Sequence, residues 1–167
     1  MAILVLFLFR RWDLFDEPFL PTFALSGALH AGALCVALRA PESTMRKVLF
    51  IAITALLSVL TLYIGIVSLQ LFAILPATER LYLVLGICSA AGAITYGSLV
   101  RFFWMKTLSS RSILAIAMAC VPATCLAYLA RTQFEIDSWV LAAAWWCAFS
   151  GGLAYADRLA KPAAERR

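Results

Sequence analysis

Ser26 and His30 are the residues of this chain best placed to do chemistry: they stand four apart, and His30 is the only histidine. On a helix, side chains four apart share a face, so this pair can form a hydrogen bond, pass a proton or offer a ligand. Two roles are open for His30. One is a neutral, structural imidazole bonded to Ser26 or to a facing carbonyl. The other is functional, because ionisable groups inside a membrane are functional candidates by default.

The other reactive groups form no constellation. Cys35, Cys88, Cys120, Cys125 and Cys147 all lie in apolar runs. They read as small hydrophobes, not as a disulfide framework or a metal site. Cys120 and Cys125 would point about 140° apart around a helix. Zinc-protease helices, aspartyl pairs and Ser–His–acid sets need residues that the apolar stretches lack. A b-type haem would need a second axial ligand, and no second histidine exists. No catalytic, cofactor or metal residue is assigned, and the chain is not expected to be an enzyme.

The elements that must hold these residues are set by composition. Hydrophobic residues make up 64% of the chain and charged residues only 14%, against about 25% charged in soluble domains. Cutting at charges and prolines leaves five stretches, 19–38, 48–75, 81–100, 112–130 and 138–156, none of which contains Asp, Glu, Lys or Arg. Crossing a hydrocarbon core of about 30 Å takes roughly 17–25 helical residues, and only helices or closed barrels satisfy their backbone in lipid. The expected fold is an all-α transmembrane bundle of five spanning helices over 19–156. Stretch 48–75 would reach roughly 42 Å, so it should tilt or project, with Pro76 closing it. Residues 1–18 read as a short interfacial helix with Trp12 at headgroup depth. Residues 157–167 read as a polar cytoplasmic tail.

Charge then orients the bundle. With five crossings, Arg39, Arg46, Lys47, Arg101, Lys106, Arg111, Arg158, Lys161, Arg166 and Arg167 fall on one side. Arg10, Arg11, Arg80 and Arg131 fall on the other. Basic residues in short loops mark the cytoplasmic face. The N-terminus is therefore expected outside and the C-terminus in the cytoplasm. Ala, Leu and Arg usage points to a bacterium, and hence to its inner membrane. The basic face anchors topology and attracts anionic lipid; nucleic acid is not an expected partner.

Lipid is as apolar as leucine, so small residues should mark where helices touch. Ala24, Ala28 and Gly32 repeat every four residues, as do Gly86/Ala90, Ser89/Ala93, Ala93/Gly97 and Ala148/Gly152. The first, third and fifth stretches should supply the tight contacts, leaving 48–75 facing lipid over much of its surface. Pro122 should kink its helix near Met118, with Thr124 offsetting part of the lost bonding. Trp139 reads as an interfacial anchor, while Trp145 and Trp146 lie deeper and need partners for their indole N–H groups.

Ser26-x3-His30 in an apolar helix resembles the membrane anchor of TonB-type energy transducers. The resemblance rests on those two positions, has no proline-rich spacer beside it, and would run the helix in the opposite direction. No family is assigned from it. The function expected is that of an accessory, assembly or regulatory subunit acting through helix contacts with other integral membrane proteins or with copies of itself. The alternative is an oligomeric conduit or small-solute permease, with Gln70, Thr95, Ser98, Thr124 and His30 along a polar path. A coupled transporter is disfavoured, because proton and sodium relays use buried carboxylates.

Overall fold

The computed structural model describes residues 19–37, 43–136 and 139–164; the expectations for residues 1–18 and for the side chain of Trp139 fall outside what it describes. Among the described residues every regular element is helical: α1 (Phe19–Ala37), α2 (Thr44–Leu71), α3 (Ala77–Phe103), α4 (Ser110–Phe134) and α5 (Trp139–Ala164). Three of them, α2, α3 and α4, are long and apolar enough to cross a membrane, and α1 carries the shorter apolar segment Ala24–Val36.

The helices overrun the apolar stretches because a helix need not stop where the hydrocarbon does. Arg46 and Lys47 lie in the first turn of α2, while Glu79 and Arg80 open α3. Arg101 and Arg131 sit in the last turns of α3 and α4. α5 continues through Ala164, so most of the expected polar tail is helix. Ser43 and Ser109 cap α2 and α4, each accepting from the backbone N–H three residues on, which satisfies one otherwise orphaned donor. Pro76 has a different place from the one expected. α2 ends at Leu71, and Phe72, Ala73 and Leu75 close a turn by backbone bonds. Pro76 is then the N-cap of α3, where its missing N–H costs nothing.

Each helix packs on its neighbour in sequence: α1 on α2, α2 on α3, α3 on α4 and α4 on α5. α1 also reaches α5 through a ring contact between His30 and Trp146. The small-residue expectation holds at the α3–α4 and α4–α5 seams. A Cβ on Gly97 would stand 3.0 Å from Ile113, and one on Gly152 would stand 2.8 Å from Ile116. Gly86 faces Val121 at 3.7 Å, an ordinary contact. The isoleucines of α4 fill the notches that the glycines leave, so the fourth helix is as much a packing element as the third and fifth.

In α1 the expectation is corrected. Among the described residues a Cβ on Gly32 would meet nothing within 4 Å, whereas one on Gly27 would stand 3.0 Å from the Thr54 carbonyl oxygen. The buried stripe of α1 is Gly27, His30, Ala31, Leu34 and Cys35, one residue round the helix from the predicted repeat. α2 does expose Leu56, Leu60, Val67 and Leu71, as expected of a lipid-facing helix. Its opposite stripe is Thr54, Ser58, Thr61, Gly65 and Ser68, with Thr54, Ser58 and Ser68 buried.

Candidate functional site

That inner stripe of α2 faces a cavity of about 180 Å³ to which all five helices contribute. Ser26 comes from α1, and Ser58 and Thr61 from α2. α3 gives Leu85, Cys88, Ser89, Gly92 and Tyr96; α4 gives Thr124; α5 gives Ala142, Trp145 and Trp146. Six hydroxyls thus converge on a space otherwise walled by aromatic and small apolar groups. At the volume share of liquid water this is room for roughly six waters, or for one small organic molecule. Among the described residues, none that lines it is acidic or basic. A charged guest would therefore enter without a counter-charge, which is costly in this surrounding, so the space fits neutral guests.

Helix geometry explains how the hydroxyls come together. Thr54, Ser58 and Thr61 recur at spacings of four and three, which puts them on one face. The Ser58 hydroxyl donates to the Thr54 carbonyl (3.0 Å) and Thr61 to the Leu57 carbonyl (2.8 Å). Tyr96 of α3 reaches across: its hydroxyl lies against Ser58 Oγ and donates to the Thr54 carbonyl at 3.1 Å. On the other side of α3, Ser89 Oγ and Thr124 Oγ1 are 3.1 Å apart. Thr124 commits its proton to the Cys120 carbonyl at 2.9 Å, so Ser89 is the donor between the two. Trp145 Nε1 donates to the Ser89 carbonyl at 3.1 Å. One serine therefore joins α3 to α4 through its side chain and to α5 through its backbone.

Apart from the indole bond of Trp145, the interior cross-links described above are hydroxyl bonds, which are individually weak. In membranes they average about 0.6 kcal/mol because the unfolded reference also finds partners. Tyr96→Phe is accordingly expected to lower stability by about 1 kcal/mol or less, read as a small shift of the thermal midpoint in detergent. A loss above about 2 kcal/mol would show that the hydroxyl carries more than these bonds.

The sequence-picked residues separate in the structure. Ser26 and Thr124 line the cavity; Gln70, Thr95, Ser98 and His30 do not. Thr95 and Ser98 bond their own helix carbonyls four residues back. His30 is 5% exposed, stacked on Trp146 with ring centroids 3.5 Å apart and planes 17° from parallel, and edge-on to Phe149. Its Nε2 has no hydrogen-bond partner among the described residues, and the ring is held by aromatic stacking. Thr124 serves Cys120 and Ser89, not the Met118 carbonyl freed by Pro122, and α4 runs unbroken through Pro122 from Ser110 to Phe134. The need of Trp145 for an indole partner is met.

Sequence reasoning missed Tyr96 as the centre of this site. Tyr96 makes edge contacts with Trp145, Trp146 and Phe149 at centroid distances of 5.6, 5.4 and 6.2 Å, and Trp145 stacks on Phe149 at 5.2 Å. The legible signal was "WWCAF", three aromatics within five residues of α5. No group of three or more metal-ligating side chains occurs among the described residues. No family model matches the chain, and no curated protein or solved structure is found to be similar to it.

Proposed function

We propose that the chain is a five-helix protein of a bacterial inner membrane, with its N-terminus outside and its C-terminus in the cytoplasm. In this reading α1 and α5 complete the bundle begun by α2, α3 and α4, and the ten-to-four division of basic residues sets the orientation. Its role is that of an accessory, assembly or regulatory subunit, bound to another integral membrane protein through helix contacts. It does no chemistry of its own.

One observation carries this role. Gly32 and Gly151 lie inside helices, yet a Cβ on either would meet nothing within 4 Å among the described residues. A helical glycine costs about 1 kcal/mol relative to alanine, and Gly27, Gly97 and Gly152 offset that by close approach within the chain. Gly32 and Gly151 meet no such neighbour among the described residues. Small residues on an open face of a membrane helix are what a partner helix needs to come close.

Purification in mild detergent tests the reading. A second membrane protein is expected to co-purify in fixed ratio, and Gly32→Leu with Gly151→Leu should release it while leaving thermal stability unchanged. A lone monomer, or retention of the partner by the double variant, would count against it. Orientation is checked separately with single-cysteine labels at residue 78 and in 106–111, which should react from opposite sides of the membrane.

A second reading is favoured by the cavity alone: a binding place or conduit for a small neutral solute. Flux of such a solute into liposomes, abolished by Ser89→Leu, which fills the space, would favour this reading over the subunit role.

A further inference from the structure

We propose that the central cavity binds a small phenol, one aromatic ring carrying one hydroxyl. The inference deepens the second reading above and rests on it: the space takes a small neutral solute. The class of solute follows from what the lining hydroxyls have left to offer and from the nature of the remaining wall.

The hydroxyls have already spent their protons. A hydroxyl carries one proton and two acceptor lone pairs. Ser58 and Tyr96 donate to the Thr54 carbonyl, Thr61 to the Leu57 carbonyl, Thr124 to the Cys120 carbonyl and Ser89 to Thr124. Five of the six hydroxyls that line the cavity therefore offer a guest lone pairs and no proton. The Cys88 thiol is likewise turned to a carbonyl, that of Thr61, at 3.9 Å. A ketone or an ether would set its own lone pairs against these oxygens. A guest that brings a proton matches them.

The rest of the wall selects the body of the guest. Leu85, Ala142, Trp145 and Trp146 carry no side-chain acceptor, and the rings of Trp145, Trp146 and Tyr96 border the space. A polyol would leave hydroxyl protons unpaired against these groups, at a cost in free energy. An aromatic ring instead gains edge and stacked contacts with them. The cavity measures about 180 Å³, against roughly 150 Å³ for an apolar protein cavity that takes up benzene. One ring and its hydroxyl fit. Gly92 keeps that room: a Cβ there would stand 3.3 Å from the Trp145 ring and 3.9 Å from Thr61 Cγ2, so a larger side chain would push between two lining residues.

The test is saturation-transfer NMR of the full chain in nanodiscs of deuterated lipid, with the signal of empty nanodiscs subtracted. Phenol, toluene and glycerol are the probes. Toluene keeps the ring and the size but lacks the proton, whereas glycerol has protons and no ring. At equal concentration in the bilayer, phenol is expected to bind saturably and about fivefold more tightly than toluene, the usual net contribution of one hydrogen bond, and glycerol not at all. Ser58→Ala, Thr61→Val and Ser89→Ala together should bring phenol down to the level of toluene while toluene binding, the report of an intact cavity, is kept. Gly92→Val should abolish both. Where a variant fails to fold, the ratio of phenol to toluene in the unaltered chain decides. Toluene bound as tightly as phenol, a triple variant that keeps the preference, glycerol bound in place of either ring, or phenol binding untouched by Gly92→Val would each overturn the phenol site. The first three of these leave the neutral-solute reading standing. Saturable binding of none of the three probes overturns that reading itself.

Discussion

Gly27→Val is expected to destabilise the bundle by about 3 kcal/mol, and Gly32→Val, five residues along the same helix, by less than about 0.5 kcal/mol. The difference lies in what each new side chain meets. At Gly27 a Cβ alone would stand 3.0 Å from the Thr54 carbonyl oxygen and 3.0 Å from Ser58 Cβ. A backbone oxygen in the middle of α2 cannot swing aside as a flexible side chain can. That carbonyl also accepts from Ser58 and Tyr96, so pushing α2 away strains its bond to α3 as well. Overpacking a tight contact costs about 1–3 kcal/mol, and an immovable neighbour places Gly27 at the top of that range. Gly32 has no neighbour to offend among the described residues. Thermal unfolding in detergent, followed by intrinsic fluorescence, ranks the two variants. Equal losses would mean that α1 is seated in another register on α2.

Phe149→Ala should cost about 3 kcal/mol. Phe149 is fully buried, stacked on Trp145 at 5.2 Å and edge-on to Tyr96, Trp146 and His30. Removing a buried aromatic ring costs about 3–5 kcal/mol in soluble proteins, where part of the loss is lost transfer from water. In a bilayer the unfolded helices are already in an apolar medium, so chiefly the cavity and the lost dispersion contacts count. The lower end applies. The same variant should flatten the near-ultraviolet circular dichroism, since two tryptophans and a tyrosine lose a fixed neighbour. A loss under about 1 kcal/mol would mean that the surrounding rings close over the gap.

Much of this architecture could be read from the chain. Uncharged stretches located the helices, because no charge is cheap in hydrocarbon. Their ends were less legible, since Arg46, Glu79 and Arg131 are helical residues that lie where water is again available. Glycine and alanine spacing identified Gly97 and Gly152, whose partners are isoleucines on α4 that carry no such signature. It failed at Gly27, because a stripe of small residues in α1 fits two adjacent faces equally well, and only the position of Thr54 and Ser58 selects one. The cavity was nearly legible. Thr54, Ser58, Thr61, Gly65 and Ser68 follow a clean helical repeat, but the many Leu, Ile and Val residues of the same helix hid it. His30 drew attention as an ionisable residue, whereas its place is set by the flat face of Trp146. Which distant rings meet depends on helix rotation, and no local pattern encodes that.

The indole of Trp145 on the Ser89 carbonyl has a consequence for biogenesis. α5 follows the other four described helices in chain order, and it supplies one wall of the central space. A chain halted after residue 136 would leave Ser89, Tyr96 and Thr124 turned toward acyl chains with that wall missing. The hydroxyls of the other four helices thus have their aromatic cover only once α5 is in place.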